Sequence, residues 1–422
     1  MKKTSINPMA SILMSSLLSA FLLGAAGCDG RESLAVNPGA MPGSPQTESE
    51  DKPDAPGQVS QYVSIIFVES SDGTDDGVNR LLRSMQNRGI EFYQTQASPE
   101  GLIASGDVVL LKINCQWAER GGTNTDLIRA IIQAILNHPG GFTGEIIIAD
   151  NGQAQFGSNG NGGSLDWANA NSADRRQSVM QVVRYFQQRG NRVTGVLWDE
   201  FTGVQVREFS GGDMRDGYVV EGPARSTGLE ISYPKFSTEY GTRVSFKEGI
   251  WNDSAGTYDS ERLKIINVPV LKSHRGFQVT GAVKNYMGVP SDRLTARRSH
   301  NSVGLGGMGT LMAETRIPVL NILDMIWIAP DGGPRSLYST AVQINKIAAS
   351  TDPVALDYWA SKNILMPEAA KLPAGRATSM NPDATEPGTF GYWLRLSMNE
   401  LRKAGISTTM TESEILVVGG GS

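Results

Sequence analysis

Lys272 and His274 stand two residues apart where the apolar run Val268-Pro269-Val270-Leu271 ends, and Lys112 and Asn114 stand two apart after Val109-Leu110-Leu111. Residues at that spacing on a strand point to the same side. A lysine aimed inward at the end of a buried run needs an anion or a carboxylate beside it. Other apolar runs end in the same way: Ile146-Ile147-Ile148 leads to Asp150, Asn151 and Gln153, Val196-Leu197-Trp198 leads to Asp199 and Glu200, and Asp324 closes Val319 to Leu323. Further on, Thr280 is placed to cap a helix whose fourth residue is Lys284, which would set free backbone N–H groups beside an ammonium.

The chemistry these residues suit is capture of a small anion. Lys112, Lys272 and Lys284 would supply the counter-charge, and Asn114, Asp150, Asn151, Thr280 and Asn285 would contact and orient the ligand. His274 would shuttle protons, so His274, Lys284 and Lys272 are the catalytic candidates if the ligand is turned over. A second reading uses oxygen ligands: Asp150 with Asp324 would hold a divalent cation such as magnesium or calcium. The chain has 3 histidines, His138 and His300 being the others, which rules out a His-rich metal site. Gly304-Leu305-Gly306-Gly307-Met308-Gly309 has the spacing of a dinucleotide fingerprint, but no apolar strand precedes it, so a flexible loop is expected there.

Positioning such residues calls for an α/β body with a mostly parallel sheet flanked by helices. Strands are expected at Val63-Val68, Val108-Ile113, Glu145-Ala149, Val193-Trp198, Lys264-Val270 and Val319-Leu323. Helices are expected at Gly77-Arg88, Asp126-His138, Asp174-Arg189, Pro353-Leu365 and Tyr392-Ala404, with Asp352 as N-cap and Pro353 in the first turn of the fourth. In an open parallel sheet the strand carboxyl ends share one edge, and ligands bind in the crevice outside it. Residues 202–260 change to Gly, Tyr, Ser and Thr with short alternating runs, which predicts an antiparallel β-rich insertion at the sheet edge. The glycine-rich stretch from Gly157 to Ser164 is expected to be disordered.

At the amino end, Lys2 and Lys3 precede an apolar stretch from Met9 to Leu23 and the small residues Gly24-Ala25-Ala26-Gly27 before Cys28. That order predicts a secretory signal over residues 1–27, and it resembles a bacterial lipobox with Ala25 where leucine is more common. Cys28 would then carry the lipid, and residues 28–61, rich in Pro, Gly, Ser, Asp and Glu, would form a flexible tether to a body spanning 62–422. The expected product is an exported lipoprotein anchored in the bacterial cell envelope. Cys115 is the only other cysteine, which excludes an intramolecular disulfide and a cysteine-held cluster in the body. The net charge of -5 gives no basic footprint for nucleic acid.

Taken together, several motifs resemble the family known as domain of unknown function 362. They are Leu111-Lys112-Ile113-Asn114 with Thr125 to Ala130, Ile148 to Gly152, Val270 to His274 leading to Thr280-Gly281-Ala282-Val283-Lys284-Asn285-Tyr286-Met287-Gly288, Asn321 to Asp324, and Ala349 to Asp357. The resemblance implies no activity. Some members of that family look like they carry iron–sulfur modules, whose cysteines this chain lacks, so an iron–sulfur role is not expected. A binding or assembly factor of the envelope, without catalysis, is the alternative to an enzyme.

Overall fold

The computed structural model describes residues 63–153, 162–373 and 377–420. The signal, the tether, Cys28 and most of the glycine-rich stretch after Gly157 lie outside the described residues.

Among the described residues a ten-stranded sheet forms the centre. Its strands are β1 (Ser64–Ser70), β2 (Val108–Lys112), β3 (Glu145–Asp150) and β4 (Val193–Leu197), then, past a separate antiparallel sheet, β10 (Leu263–Asn267), β11 (Val270–His274), β12 (Gln278–Thr280), β13 (Leu320–Ala329), β14 (Val342–Ser350) and β15 (Ile415–Gly419). The order across it is β15-β1-β14-β13-β10-β2-β3-β4, with β11 beside the far half of β13 and β12 folded back on β11. Pairings from β13 through β10, β2 and β3 to β4 are all parallel, whereas β14 runs antiparallel to both its neighbours. The α/β expectation holds.

Strand residues divide by parity between two apolar layers, as a period of two requires. Val109, Leu111, Ile146 and Ile148 pack with α1 (Gly77–Gln86), α2 (Thr125–Leu136) and α3 (Val179–Gln187). Val108, Leu110, Ile147 and Ala149 face the other way, toward α4 (Ala282–Asn285), α6 (Gly307–Glu314), α7 (Pro353–Ala360) and α9 (Phe390–Lys403). Helix starts follow side-chain chemistry. Asn124 Oδ1 accepts the N–H of Asp126 at 2.9 Å and opens α2, and Asp352 Oδ1 accepts those of Val354 and Ala355 at 2.9 and 3.0 Å and opens α7.

The insertion between β4 and β10 forms the second sheet: β5 (Gly217–Pro223), β6 (Glu230–Ser237), β7 (Arg243–Ser245), β8 (Gly249–Asn252) and β9 (Thr257–Asp259), all antiparallel. It leaves from edge strand β4, as expected. Trp198 at that exit packs against Phe236 and Phe246 of the insertion.

Two expectations need correction. Lys264 to Val270 is not one strand: Pro269 has no N–H to donate to a ladder, so β10 stops at Asn267 and the chain restarts as β11 beside β13. Nor is the glycine run a flexible loop. Gly307 and Gly309 lie in buried helix α6, and a Cβ on Gly309 would sit 2.2 Å from the Ser397 carbonyl oxygen, so the glycine lets α6 press onto α9. Those glycines serve helix packing.

Candidate functional site

The ends of β2 and β3, the β11–β12 hairpin and the short helix α4 enclose one narrow cleft with a cavity volume of about 30 Å³. Asn114, Asp150, Asn151, Lys272, His274, Thr280, Lys284 and Asn285 line it, joined by Gln116, Gln153, Gly288 and His300. Residues from separate parts of the sequence thus meet at the strand carboxyl edge. Lys272 faces Thr280 across the hairpin, and His274 faces Gln278.

At the floor, Lys112 Nζ pairs with Asp150 Oδ1 at 2.6 Å, and both side chains are fully buried or nearly so. The lysine also donates to the Ile113 carbonyl at 2.7 Å, and Asp150 Oδ2 accepts the Cys115 N–H at 2.7 Å. Among the described residues Asp150 Oδ1 is held by the ion pair alone and accepts no hydrogen bond. Gly288 lies directly against it: a Cβ there would come 2.1 Å from Asp150 Oδ1 and 2.7 Å from Lys112 Nζ.

Above the floor the balance changes. Lys284 is 6% exposed, and among the described residues its Nζ has no hydrogen-bond or ion-pair partner; it lies over the face of the Phe277 ring, 5.2 Å from its centre. Burial lowers its pKa to about 8, against the pull of Asp292. Lys272, 1% exposed, donates to the Gly121 carbonyl and to Asn114 Oδ1, yet burial, reinforced by Lys284, lowers it to about 7. Among the described residues the buried Thr280 hydroxyl has no hydrogen-bond partner.

Two histidines flank Phe277, with ring centres 5.4 Å (His274) and 6.1 Å (His300) from it. His274 Nδ1 accepts the N–H groups of Gly276 and Phe277, each at 3.1 Å, so in the neutral ring the proton belongs on Nε2. Burial, then Lys284 and Lys272, hold this histidine far below its usual pKa, and it is a neutral donor. His300 is its complement. Its Nδ1 bonds Asp292 Oδ2, which leaves the Nε2 lone pair as acceptor, and Asp292 Oδ1 takes the His300 backbone N–H at 3.2 Å. Seven residues lie between Asp292 and His300 with no apolar run to mark either, so the dyad leaves no local signal in the sequence.

A run of amides leads from the cleft across the sheet. Lys272 Nζ donates to Asn114 Oδ1 at 3.3 Å, Asn114 Nδ2 to Asn285 Oδ1 at 3.3 Å, Asn285 Nδ2 to Asn267 Oδ1 at 2.8 Å, Asn267 Nδ2 to Asn321 Oδ1 at 2.9 Å, and Asn321 Nδ2 to the Ser350 carbonyl at 3.1 Å. These orientations follow from the network itself. Asn285 and Asn114 therefore hold the cleft wall as well as line it.

Other candidates have structural partners. Asn151 Nδ2 donates to the Tyr218 hydroxyl at 2.5 Å and the Pro290 carbonyl at 3.2 Å, tying the insertion to β3. Asp324 is not brought to the cleft. It is buried where β13 bulges, accepts the N–H groups of Asn124 at 2.8 Å and Ile326 at 3.0 Å, and is pushed up to about 6 by burial. Among the described residues no three His, Cys, Asp or Glu side chains cluster as a metal site would need. The expected anion cradle at the start of α4 needs correction. Thr280 lies in β12, Gly281 is the N-cap, and the N–H groups of Ala282 and Val283 already bind the Asp357 carboxylate at 2.5 and 2.9 Å. Burial pushes Asp357 up to about 7.

The family model described as domain of unknown function (DUF362) matches residues 260–362. That stretch supplies Lys272, His274, Thr280, Lys284, Asn285, Gly288, His300 and Asp357, while Lys112, Asn114 and Asp150 lie before it. The thylakoid-associated protein sll1697 of Synechocystis sp. is 28% identical over 158 residues, which cover 34% of this chain and 48% of that protein. The match therefore spans about half the length of that relative. No solved structure matches. Among the described residues no helix is long and apolar enough to cross a membrane.

Proposed function

We propose that the cleft binds a small anionic molecule and exchanges protons with it. One observation carries this reading: Lys284 is nine-tenths buried at the cleft wall and its ammonium is unpaired among the described residues. A buried charge without a partner costs several kcal/mol in principle, and a ligand anion is the partner that would relieve it. The unpaired Thr280 hydroxyl and the Nε2–H of His274 are donors for the same ligand, and Lys272 adds a second charge. His300, backed by Asp292, is the acceptor for a proton.

The test is thermal unfolding of the body from Gln58 onward in inorganic phosphate, sulfate and simple carboxylates. A ligand that binds only the folded state stabilises it by about 2.7 kcal/mol at a hundred times its Kd. Stabilisation by at least one of these anions, absent in Lys284→Gln, supports the reading. No stabilisation by any of them overturns it and favours an envelope assembly factor without a ligand.

Export and lipid anchoring through Cys28 belong to the same proposal. Their support is the succession of basic, apolar and small residues before that cysteine. Incorporation of labelled fatty acid into the full chain, lost in Cys28→Ser, is the expected result; equal labelling of the variant would exclude Cys28 as the anchor.

A further inference from the structure

Lys284 has the setting of a nucleophilic amine. A lysine becomes nucleophilic at neutral pH when it is desolvated or set beside another cation, because both conditions favour the neutral amine. Both conditions hold once a ligand carboxylate rests against Lys272 and keeps it charged, which in turn favours the neutral amine at Lys284. The side chain is buried against the Phe277 ring, and Lys272 belongs to the same cleft. Among the described residues no carboxylate or carbonyl oxygen holds its Nζ, so the lone pair is not tied up in a bond to the scaffold. Lys112 differs in each respect, being paired with Asp150 and bonded to Ile113. Lys272 also differs, since the oxygens of Gly121 and Asn114 accept from it and keep its hydrogens directed away from a reacting carbon.

We propose that Lys284 forms an imine with the carbonyl group of a small 2-oxo acid whose carboxylate rests against Lys272. This rests on the anion-binding reading and narrows it to a ligand that carries an anion and a ketone together. In the addition step the Nζ lone pair bonds to the carbonyl carbon, and the π pair moves onto oxygen. His300 Nε2 takes a proton from nitrogen, with Asp292 holding the resulting imidazolium, and returns it to the oxygen. The carbinolamine then loses water: His300 Nε2 takes the remaining proton from nitrogen and delivers it to the hydroxyl, which departs as water while the nitrogen electron pair closes the C=N bond. Amine and ketone give imine and water, and no oxidant or reductant takes part. Thr280, opposite Lys272 on the hairpin and unpaired, is a donor for the carbinolamine oxygen. Gly281 and Gly288 bracket the helix that carries Lys284, and each lies where a Cβ would strike a buried carboxylate, Asp357 or Asp150, so α4 is held in place from both ends.

The experiment is reductive trapping of the full chain with pyruvate and cyanoborohydride near pH 7.5, followed by intact mass and peptide mapping. One reduced pyruvyl group is expected per chain, on Lys284, at a level roughly tenfold above that on the exposed Lys371 and Lys403. Acetone, which has the ketone but no carboxylate, is expected to label Lys284 roughly tenfold less than pyruvate does. Mapping the native chain needs no variant, so a folding defect cannot imitate a negative result. Lys272→Gln is expected to bring pyruvate down to the acetone level.

Labelling of Lys284 no greater than that of Lys371 and Lys403, or equal labelling by acetone and pyruvate, would overturn the proposal. If phosphate or a carboxylate still stabilises the protein in that case, anion binding stands and only the imine is lost. If neither effect appears, both fall together.

Discussion

Two sets of buried polar groups in this fold have been treated in opposite ways. Asp324, Asp352 and Asp357 are buried acids whose oxygens accept backbone N–H groups, each at the start of a helix or beside a bulge. Lys284 and the nearby Thr280 hydroxyl are buried donors to which the described scaffold offers nothing. The acids close the architecture. The donors are left over from it, and groups left over at a strand carboxyl edge mark the place where something else binds. Lys112, paired with Asp150, belongs with the acids despite being a lysine at that same edge.

Substitutions can break this contrast. The largest effect is expected for Lys112→Met, which strands Asp150 without its counter-charge and should cost roughly 3–5 kcal/mol in urea unfolding. A loss below about 1 kcal/mol would mean that the pair is not closed architecture. Asp357→Ala leaves the Ala282 and Val283 N–H groups bare and should cost about 2–3 kcal/mol. Lys284→Met should act in the opposite direction. It removes a buried cation that the fold holds below its usual pKa, so roughly 1–3 kcal/mol of added stability is expected at pH 7, with loss of anion binding. A destabilised Lys284→Met would show that the lysine has a structural partner after all. The smallest effect is expected for Thr280→Val: within about 0.5 kcal/mol in stability, with a several-fold weaker response to phosphate.

Stability against pH sharpens the same contrast. Asp357 has a raised pKa, so the folded state holds its proton more tightly; the stability it contributes is present below about pH 4 and is lost as pH rises through about 7. Lys272 and Lys284 have lowered values, so above about pH 7 to 8 the unfolded chain binds more protons and stability rises toward about pH 10. Asp357→Asn should shrink the fall on the acid side to the part carried by Asp324 and leave the alkaline rise, as read from unfolding midpoints across pH. An unchanged acid side would assign it to other carboxylates.

The sequence carried the site's position better than its wiring. Lys112, Asp150, Lys272 and His274 could be placed because each ends an apolar run, and that signal is local. Val342 to Ser350 alternates polar and apolar residues and Ile415 to Val418 is a short, largely β-branched run, so β14 and β15 carry a local strand signal, but neither ends in a lysine, aspartate or histidine as β2, β3 and β11 do. Asp357, read locally, only suits its own helix dipole; its actual partners are 74 and 75 residues away in sequence. The Asp292–His300 dyad and the close approach of Gly288 to the ion pair likewise depend on packing between distant segments. Glycine spacing misled at Gly304 to Gly309, because the same residue type that lets a loop bend also lets two helices touch.

The amide run has an electrical sense. Each asparagine from Asn114 to Asn321 donates in the same direction, away from Lys272, so the four side-chain dipoles add and turn their oxygen end toward the lysine. None can turn over alone without setting two donors or two acceptors face to face. The orientation of each amide is therefore fixed by its neighbours, from the cleft wall as far as Ser350, whose hydroxyl bonds Ile65 of β1.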